Sequence, residues 1–184
     1  MKRRLFLTGP MGCGKSTAIA RALGDRLPLC GGFLTGRIRD ASGRAVTFYL
    51  ERPDTGEREV FLDFSQGKPK VDLAVFARLG VEALQGRVLV LDEIGGVELL
   101  CPEFEEVLQT VLRSDIPVLG VMKGEGPAGA LIQALGLSEV YRSKAGQLRD
   151  FLREDADSLL YECGQFDQRA LALAEQWTEE YLHE

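Results

Sequence analysis

One stretch of the sequence has residue types and spacing suited to phosphate binding. Residues 9 to 16 read GPMGCGKS and match the pattern G-x-x-x-x-G-K-[ST]. Glycines let such a loop wrap closely around a phosphate, and backbone N–H groups at the start of the following helix supply an anion site. Lys15 would face the β- and γ-phosphates of a nucleotide, and the Ser16 hydroxyl would bind Mg²⁺. The predicted phosphate-binding residues are Gly9, Pro10, Met11, Gly12, Cys13, Gly14, Lys15, Ser16 and Thr17. A glycine turn capped by Ser16 is the structural alternative.

A second candidate lies where a continuous apolar run ends in two adjacent acids, in the segment VLVLDEIGGVE over residues 88 to 98. A carboxylate at the edge of a core is costly to desolvate unless a cation compensates it. In nucleotide hydrolases with a phosphate loop, an acid at the end of a neighbouring parallel strand holds Mg²⁺, and Asp92 occupies that position. We predict Glu93 as the general base that activates water, with Glu98 as its competitor. Solvated acids at a strand end are the alternative for both Asp92 and Glu93.

Three arginines, Arg37, Arg39 and Arg44, lie in or just after the predicted strand at 31–40, on the side of the predicted hairpin. They either contact the phosphates or the base from that side or are ordinary solvated charges on strands. Because exposed charges on strands are common and contribute little, we favour the second interpretation.

Alternating elements must position these side chains. The hydrophobic pattern predicts a strand at 4–9, a helix after the glycine loop, a strand at 31–40 and a hairpin over 45–64 around the turn at 53–56. It then predicts a helix at 72–84, a buried strand at 87–91, a helix from Pro102 to 113, a strand at 117–122 and a mostly helical tail from 147, including a surface helix at 153–162. Strands that alternate with helices favour an α/β fold in three layers, in which helices flank a mostly parallel sheet with an antiparallel hairpin extension. We expect residues 1–184 to form one domain.

Composition excludes several functional classes. The net charge of −6 and the pI of about 5.0 disfavour nucleic-acid partners, and no apolar segment is long enough to cross a membrane. The four cysteines have neither zinc-site nor disulfide-framework spacing, and the one histidine, His183, is adjacent to the last residue. We therefore expect a cytoplasmic protein without histidine chemistry. We also expect a monomer, with a weak dimer through Trp177, Tyr181 and Leu182 as the alternative.

Four segments together resemble a known family, the THEP1-type nucleoside-triphosphatases, also called cancer-related nucleoside-triphosphatases. They are LFLTGPMGCGKST (5–17), GGFLT (31–35), VDLAVFARLGVEAL (71–84) and VLVLDEIGGVELLCPEF (88–104). The last contains the family pattern D-E-I-G-x-x-E-L with a later phenylalanine, here Asp92, Glu93, Ile94, Gly95, Glu98, Leu99 and Phe104. The resemblance implies a P-loop nucleoside-triphosphatase fold and slow, Mg²⁺-dependent hydrolysis of ATP, GTP and other nucleoside triphosphates.

The chain also departs from that family. Gly36 stands where the family has an acid, and Thr47 stands where it has glycine. An asparagine-arginine pair that commonly opens a late helix is missing, and residues 147–149 read QLR instead. The resemblance therefore does not supply an arginine that reaches the nucleotide from this region.

The predicted activity is hydrolysis of nucleoside 5′-triphosphates to diphosphate and phosphate, with Lys15 and Glu93 as catalytic residues and Ser16 and Asp92 as Mg²⁺ ligands. The N-K-x-D element that reads guanine is absent, so we expect loose base specificity. One alternative is a small-molecule, nucleoside or nucleotide kinase that uses ATP. Against it, the segment after PVLGVM contains one lysine and no arginine before Arg142, whereas such kinases usually have an arginine-rich lid. A further alternative is a non-catalytic, nucleotide-gated binding module.

Overall fold

The computed structural model describes residues 1–124, 136, 139–165 and 167–182. His183 and most of the segment in which a kinase lid was considered lie outside these residues. Within the described residues, eight strands form one sheet in the order β5-β4-β3-β2-β6-β7-β1-β8. Within the described parts of the chain, no helix has both the length and the apolar character needed to cross a membrane.

The central part of the sheet is parallel. Strand β1 (Arg4–Thr8) lies between β7 (Val118–Met122) and β8 (Ser158–Glu162), and β6 (Leu89–Ile94) lies between β7 and the first residues of β2 (Gly31–Arg39). The loops that follow β1, β6 and β7 therefore meet at one edge of the sheet, where ligands of open α/β sheets bind.

The rest of the sheet is antiparallel. Beyond Phe33, β2 pairs with β3 (Ala45–Glu51), which pairs with β4 (Arg58–Asp63), and β4 pairs with the short β5 (Lys70–Val71). Strands β3 and β4 form the predicted hairpin, and the antiparallel part of the sheet also includes half of β2. One strand thus belongs to both parts of the sheet.

Helices cover both faces of the sheet and complete three layers. One face carries α1 (Lys15–Leu23), which runs into a 3₁₀ turn (Gly24–Leu29), and α5 (Gln168–Tyr181). The other carries a π-helical turn (Phe76–Gly80) continued by α2 (Val81–Ala83), a 3₁₀ turn (Val97–Leu100), α3 (Pro102–Leu112) and α4 (Glu139–Glu154). Leu5 and Leu7 face α1 whereas Phe6 faces the other layer, as the alternation of side chains along a strand requires.

The prediction of a mostly helical tail was wrong at one element. Residues 158–162 form β8, not part of a surface helix, and they pair with all five residues of β1 in parallel register. Sequence periodicity cannot separate a short apolar run in a strand from a turn of helix, and here pairing with β1 decides the outcome. The last helix is correctly predicted, and its Trp177 is fully buried in its own domain, where the indole donates to the carbonyl of Arg3 at 3.0 Å.

Candidate active site

The loop between β1 and α1 has the backbone shape that a phosphate site needs. Its glycines adopt positive φ angles, of 131° at Gly9, 79° at Gly12 and 99° at Gly14. Gly14 is the N-cap of α1, and no side chain caps the helix there. The amide groups of the first helical turn are therefore available to an anion. The Lys15 ammonium donates to the carbonyls of Gly9 at 3.0 Å and Pro10 at 2.7 Å, within its own loop.

Ser16 does not cap the helix but links the loop to the end of β6. Its hydroxyl donates to Asp92 Oδ1 at 2.9 Å. Asp92 is only 7% exposed, and its burial raises the pKa of the carboxyl to about 6 although the hydrogen bond from Ser16 acts in the opposite direction. Asp92 forms no ion pair with any residue in the described parts of the chain. A cation that arrives with a ligand would stabilise the charged form of this buried carboxylate.

An irregularity in β6 brings the next acid to the same site. Leu91 pairs with Gly120 and Ile94 with Met122, so that Asp92 and Glu93 together stand opposite Val121. Such a bulge redirects side chains that would otherwise point to opposite faces of the sheet. Glu93 has a φ of 74°, and among the described residues no other amino acid except glycine has a positive φ. Backbone strain of this kind costs of order 1–3 kcal/mol and is concentrated at functional sites.

Glu98, the competing candidate, has a different position. It is 4% exposed, and its Oε1 accepts hydrogen bonds from the amides of Gly95 at 2.5 Å and Gly96 at 2.7 Å. Burial raises the pKa of this carboxyl, while the nearby charge of Lys123 acts to lower it. A Cβ atom at Gly96 would lie 2.7 Å from Glu98 Oε2 and 2.9 Å from Lys123 Nζ. Glu98 therefore stabilises the turn that follows Asp92 and Glu93.

Lys123 follows β7, and its ammonium lies near both Glu93 and Glu98. Its ammonium lies 3.9 Å from Glu93 Oε2, and its backbone amide donates to the carbonyl of Ile94 at 2.8 Å. The carbonyl of Lys123 in turn accepts a hydrogen bond of 2.6 Å from Arg149, which is buried. Hydrogen bonds with β6 and α4 thus fix Lys123, the residue after β7, on this side of the pocket.

The phosphate loop and Glu93 border a pocket of about 220 Å³. It is lined by Met11, Gly12, Gly14, Lys15, Ser16, Thr17, Arg37, Glu93 and Val121. Of the other predicted residues, Gly9 and Pro10 accept hydrogen bonds from Lys15, and Cys13 packs against the hydrophobic core beneath α1, with its sulfur 3.5 Å from Lys15 Nζ. A larger open groove of about 990 Å³ lies between β8 and α5, but its lining is apolar and acidic and does not suit a phosphate.

Arg37 was not singled out from the other arginines by sequence reasoning, which favoured solvated charges for all three. The structure separates them: Arg37 lines the pocket, whereas Arg39 donates to the carbonyl of Gly43 at 2.6 Å and Arg44 lies 3.5 Å from Asp40. The signal that distinguishes Arg37 is the position of β2 beside β6, which depends on the strand order and not on local sequence.

Several known proteins are similar to this chain in sequence. A family model described as NTPase matches residues 4–157. The nucleoside-triphosphatase THEP1 of Methanocaldococcus jannaschii is 36% identical over 132 residues, which cover 65% of this chain and 77% of that protein. The chain belongs to the THEP1-type nucleoside-triphosphatase family. A second member, from Thermotoga petrophila, is 32% identical over 131 residues, which cover 65% and 72% of the two chains.

The fold extends beyond the region of sequence similarity. The crystal structure of THEP1 from the hyperthermophile Aquifex aeolicus superposes with a TM-score of 0.69 over 98% of this chain and 99% of that one, at 16% identity. At this identity the likeness establishes the fold alone. The shared fold therefore extends over nearly the whole chain, including the segments of β8 and α5, for which the sequence resemblance gave no guidance.

Proposed function

We propose that the protein hydrolyses nucleoside 5′-triphosphates to diphosphate and phosphate, depends on Mg²⁺ and discriminates little between bases. The observation that carries this proposal is the convergence of Lys15, Ser16 and Glu93 on one pocket, beside the buried Asp92. A cation of the loop, a hydroxyl and a candidate base are thereby available to one phosphate chain. Membership of a nucleoside-triphosphatase family supports the same activity.

The donor atoms fit Mg²⁺. The Ser16 hydroxyl and the Asp92 carboxylate are oxygen ligands, which this cation prefers, and they already lie 2.9 Å apart. Ser16 and Asp92 would hold Mg²⁺ together with a nucleotide, and the ion would supply positive charge that neutralises the β- and γ-phosphate oxygens. The desolvation that raises the pKa of Asp92 provides a reason for such a cation to bind here.

The remaining residues have complementary roles in this proposal. Lys15 exchanges the carbonyls of Gly9 and Pro10 for β- and γ-phosphate oxygens, and amides at the start of α1 bind the phosphate chain. Glu93 accepts a proton from the water that attacks the γ-phosphorus, and Lys123 lies near enough to orient its carboxylate. Because Asp92 is engaged with Ser16, Glu93 is the better placed of the two to act as a base.

Loose base specificity has its support in the sequence. No asparagine occurs anywhere in the chain, so an N-K-x-D element for guanine cannot be assembled. Among the residues that line the pocket, none offers an amide side chain for reading a base edge. We therefore expect ATP, GTP and pyrimidine triphosphates to be hydrolysed at similar rates.

The test is phosphate release from a panel of nucleoside triphosphates, with Mg²⁺ and with excess chelator, and repeated with pooled metabolites as phosphate acceptors. We expect phosphate release from several triphosphates that stops in the chelator. Phosphorylated metabolites that form much faster than free phosphate would instead establish a kinase. Tight nucleotide binding without turnover would establish a binding module.

A further inference from the structure

The strand β2 brings a positive charge to the phosphate pocket from outside the phosphate loop. Its residues Gly31 to Phe33 pair with β6, after which the strand leaves β6 and pairs with β3 instead. The Thr35 hydroxyl donates to the Asp92 carbonyl at 2.8 Å and fixes β2 beside the end of β6. Residues two apart on a strand share a face, so Arg37 lies on the same face as Thr35 and reaches the pocket.

The guanidinium of Arg37 is held in place but has its hydrogen-bonding capacity free. Its central carbon lies 5.9 Å from the centroid of the Phe48 ring, which belongs to the residue paired with Arg37 on β3. Throughout the described residues Arg37 has no ion pair and no hydrogen bond from its side chain, in contrast to Arg39 and Arg44.

A guanidinium at this place matches the chemistry of the reaction. When water attacks the γ-phosphorus, the bond to the bridging oxygen breaks, the nucleoside diphosphate leaves with the electron pair, and the proton of the water passes to Glu93. Negative charge is spread over the γ-phosphoryl oxygens on the way. The planar fork of N–H groups of an arginine donates two parallel hydrogen bonds to two such oxygens, a bidentate geometry that the compact ammonium of a lysine does not match.

We propose that Arg37 is a further catalytic residue that donates hydrogen bonds to the γ-phosphoryl oxygens and stabilises their charge in the transition state. Arg37 transfers no proton and contacts neither the diphosphate nor the base. The inference rests on the proposed triphosphatase activity, and it assigns to the antiparallel part of the sheet a role in the reaction.

The experiment compares Arg37→Ala with Arg39→Ala. Both arginines lie on β2, both are exposed, and both substitutions remove one positive charge. We expect kcat for Arg37→Ala to fall roughly 100-fold, as for removal of other preorganised donors, while Arg39→Ala stays within about threefold of the parent. Affinity for the nucleoside diphosphate should be unchanged in both variants, because the γ-phosphoryl group is missing. Binding of the diphosphate with aluminium fluoride, which imitates the transferred group, should weaken for Arg37→Ala alone.

Two further measurements separate a catalytic role from a structural one. Added guanidinium ion should restore part of the activity of Arg37→Ala and leave Arg39→Ala unaffected, whereas Arg37→Lys should remain well below the parent. Equal activity of Arg37→Ala and Arg39→Ala, or an equal loss of diphosphate and triphosphate affinity in Arg37→Ala, would overturn the inference. In that case an active parent enzyme leaves the proposed function intact, whereas a parent that releases no phosphate removes both.

Discussion

The two ends of strand β1 each carry a buried polar cluster, and the clusters differ in how far they are satisfied. At the start of β1, Arg4 is 3% exposed and donates to Asp155 Oδ2 at 2.9 Å, Ser158 Oγ at 3.0 Å and the Ser114 carbonyl at 2.9 Å. At the other end, Asp92 has the Ser16 hydroxyl but no ion-pair partner in the described chain, and Lys15 donates only to groups of its own loop, the carbonyls of Gly9 and Pro10 and the sulfur of Cys13.

This difference in partners distinguishes a buried charge that stabilises the fold from one that is available to a ligand. The Arg4 cluster has its own counterion and hydrogen-bond partners, so it needs no ligand. The cluster at the phosphate loop has a cation and a carboxylate that are not paired with each other, a strained Glu93 and a pocket between them. Each of these features costs free energy in the unliganded protein. Triphosphate and Mg²⁺ together would supply the missing partners.

The largest effect is expected for Lys15→Ala. The substitution removes the charge that faces the β- and γ-phosphates without touching the core, so turnover should fall at least about 100-fold with little change in melting temperature. Phosphate release and thermal unfolding measure the two quantities. Lys68→Ala, which removes the same charge from an exposed loop, is the control. Near-normal hydrolysis by Lys15→Ala would contradict the assignment of this segment as a phosphate-binding loop.

The second prediction ranks the two acids beside the bulge. Glu93→Gln keeps shape and hydrogen bonding but removes the proton acceptor, so it should bind Mg²⁺ and ATP like the parent and hydrolyse ATP roughly 100-fold more slowly. Glu98→Gln retains an oxygen that can accept from Gly95 and Gly96, and should lose less than about tenfold. Rates at saturating nucleotide, with both variants shown to be folded, decide the ranking. The reverse order would transfer the role of base to Glu98.

Much of this site could be predicted from the sequence because its chemistry depends on residues close together along the chain. The glycine-rich loop, Lys15 and Ser16 form one local pattern, and Asp92 follows an apolar run that reads clearly as a buried strand. The same holds for the hairpin and for α3, which begins at Pro102 as predicted. The catalytic roles assigned to Lys15 and Glu93 stay predictions. So does metal binding by Ser16 and Asp92.

Other features depend on contacts that the sequence does not display. Arg37 and Arg39 have the same residue type and lie two positions apart, and only the course of β2 beside β6 brings one of them to the pocket. The 158–162 run becomes a strand because β1 has a free edge there and because Arg4 binds Ser158. Lys123 shows no pattern of its own, yet it lies between Glu93 and Glu98. Each of these outcomes is set by strand order.

The third prediction tests the satisfied end of β1. Asp155→Ala leaves the guanidinium of Arg4 buried without its main counterion, and should lower the free energy of unfolding by about 3 kcal/mol. The kcat should stay within twofold of the parent, because this cluster lies at the opposite end of the strand. Asp115→Ala removes a surface partner of Arg3 whose side chain is 95% exposed, and should have little effect on stability. A large loss of kcat in Asp155→Ala would contradict the separation of the two clusters.

The smallest effect concerns the unsatisfied end, where removal of a functional charge should stabilise the protein. Burial raises the pKa of Asp92 from 3.8 to about 6, so between these values the folded state holds a proton that the unfolded state has lost. Stability from this group therefore falls as the pH rises through that range, and the loss is complete above it. Asp92→Asn imitates the neutral form and still accepts from Ser16. At pH 8 without Mg²⁺ it should exceed the parent by about 2 kcal/mol in free energy of unfolding.

The difference in stability between Asp92→Asn and the parent should depend on pH and on Mg²⁺ with nucleotide. Removal of a negative charge elsewhere on the protein would not show this dependence. The difference should shrink towards pH 4, where the parent carboxyl is protonated too, and it should also shrink at pH 8 when Mg²⁺ and nucleotide stabilise the parent alone. Asp25→Asn, at an exposed position in the turn after α1, removes the same charge and should show neither dependence. Denaturant unfolding at several pH values measures all three proteins. If Asp92→Asn were less stable than the parent at pH 8, the carboxylate would already have an adequate partner within the protein, and the contrast between the two ends of β1 would fail.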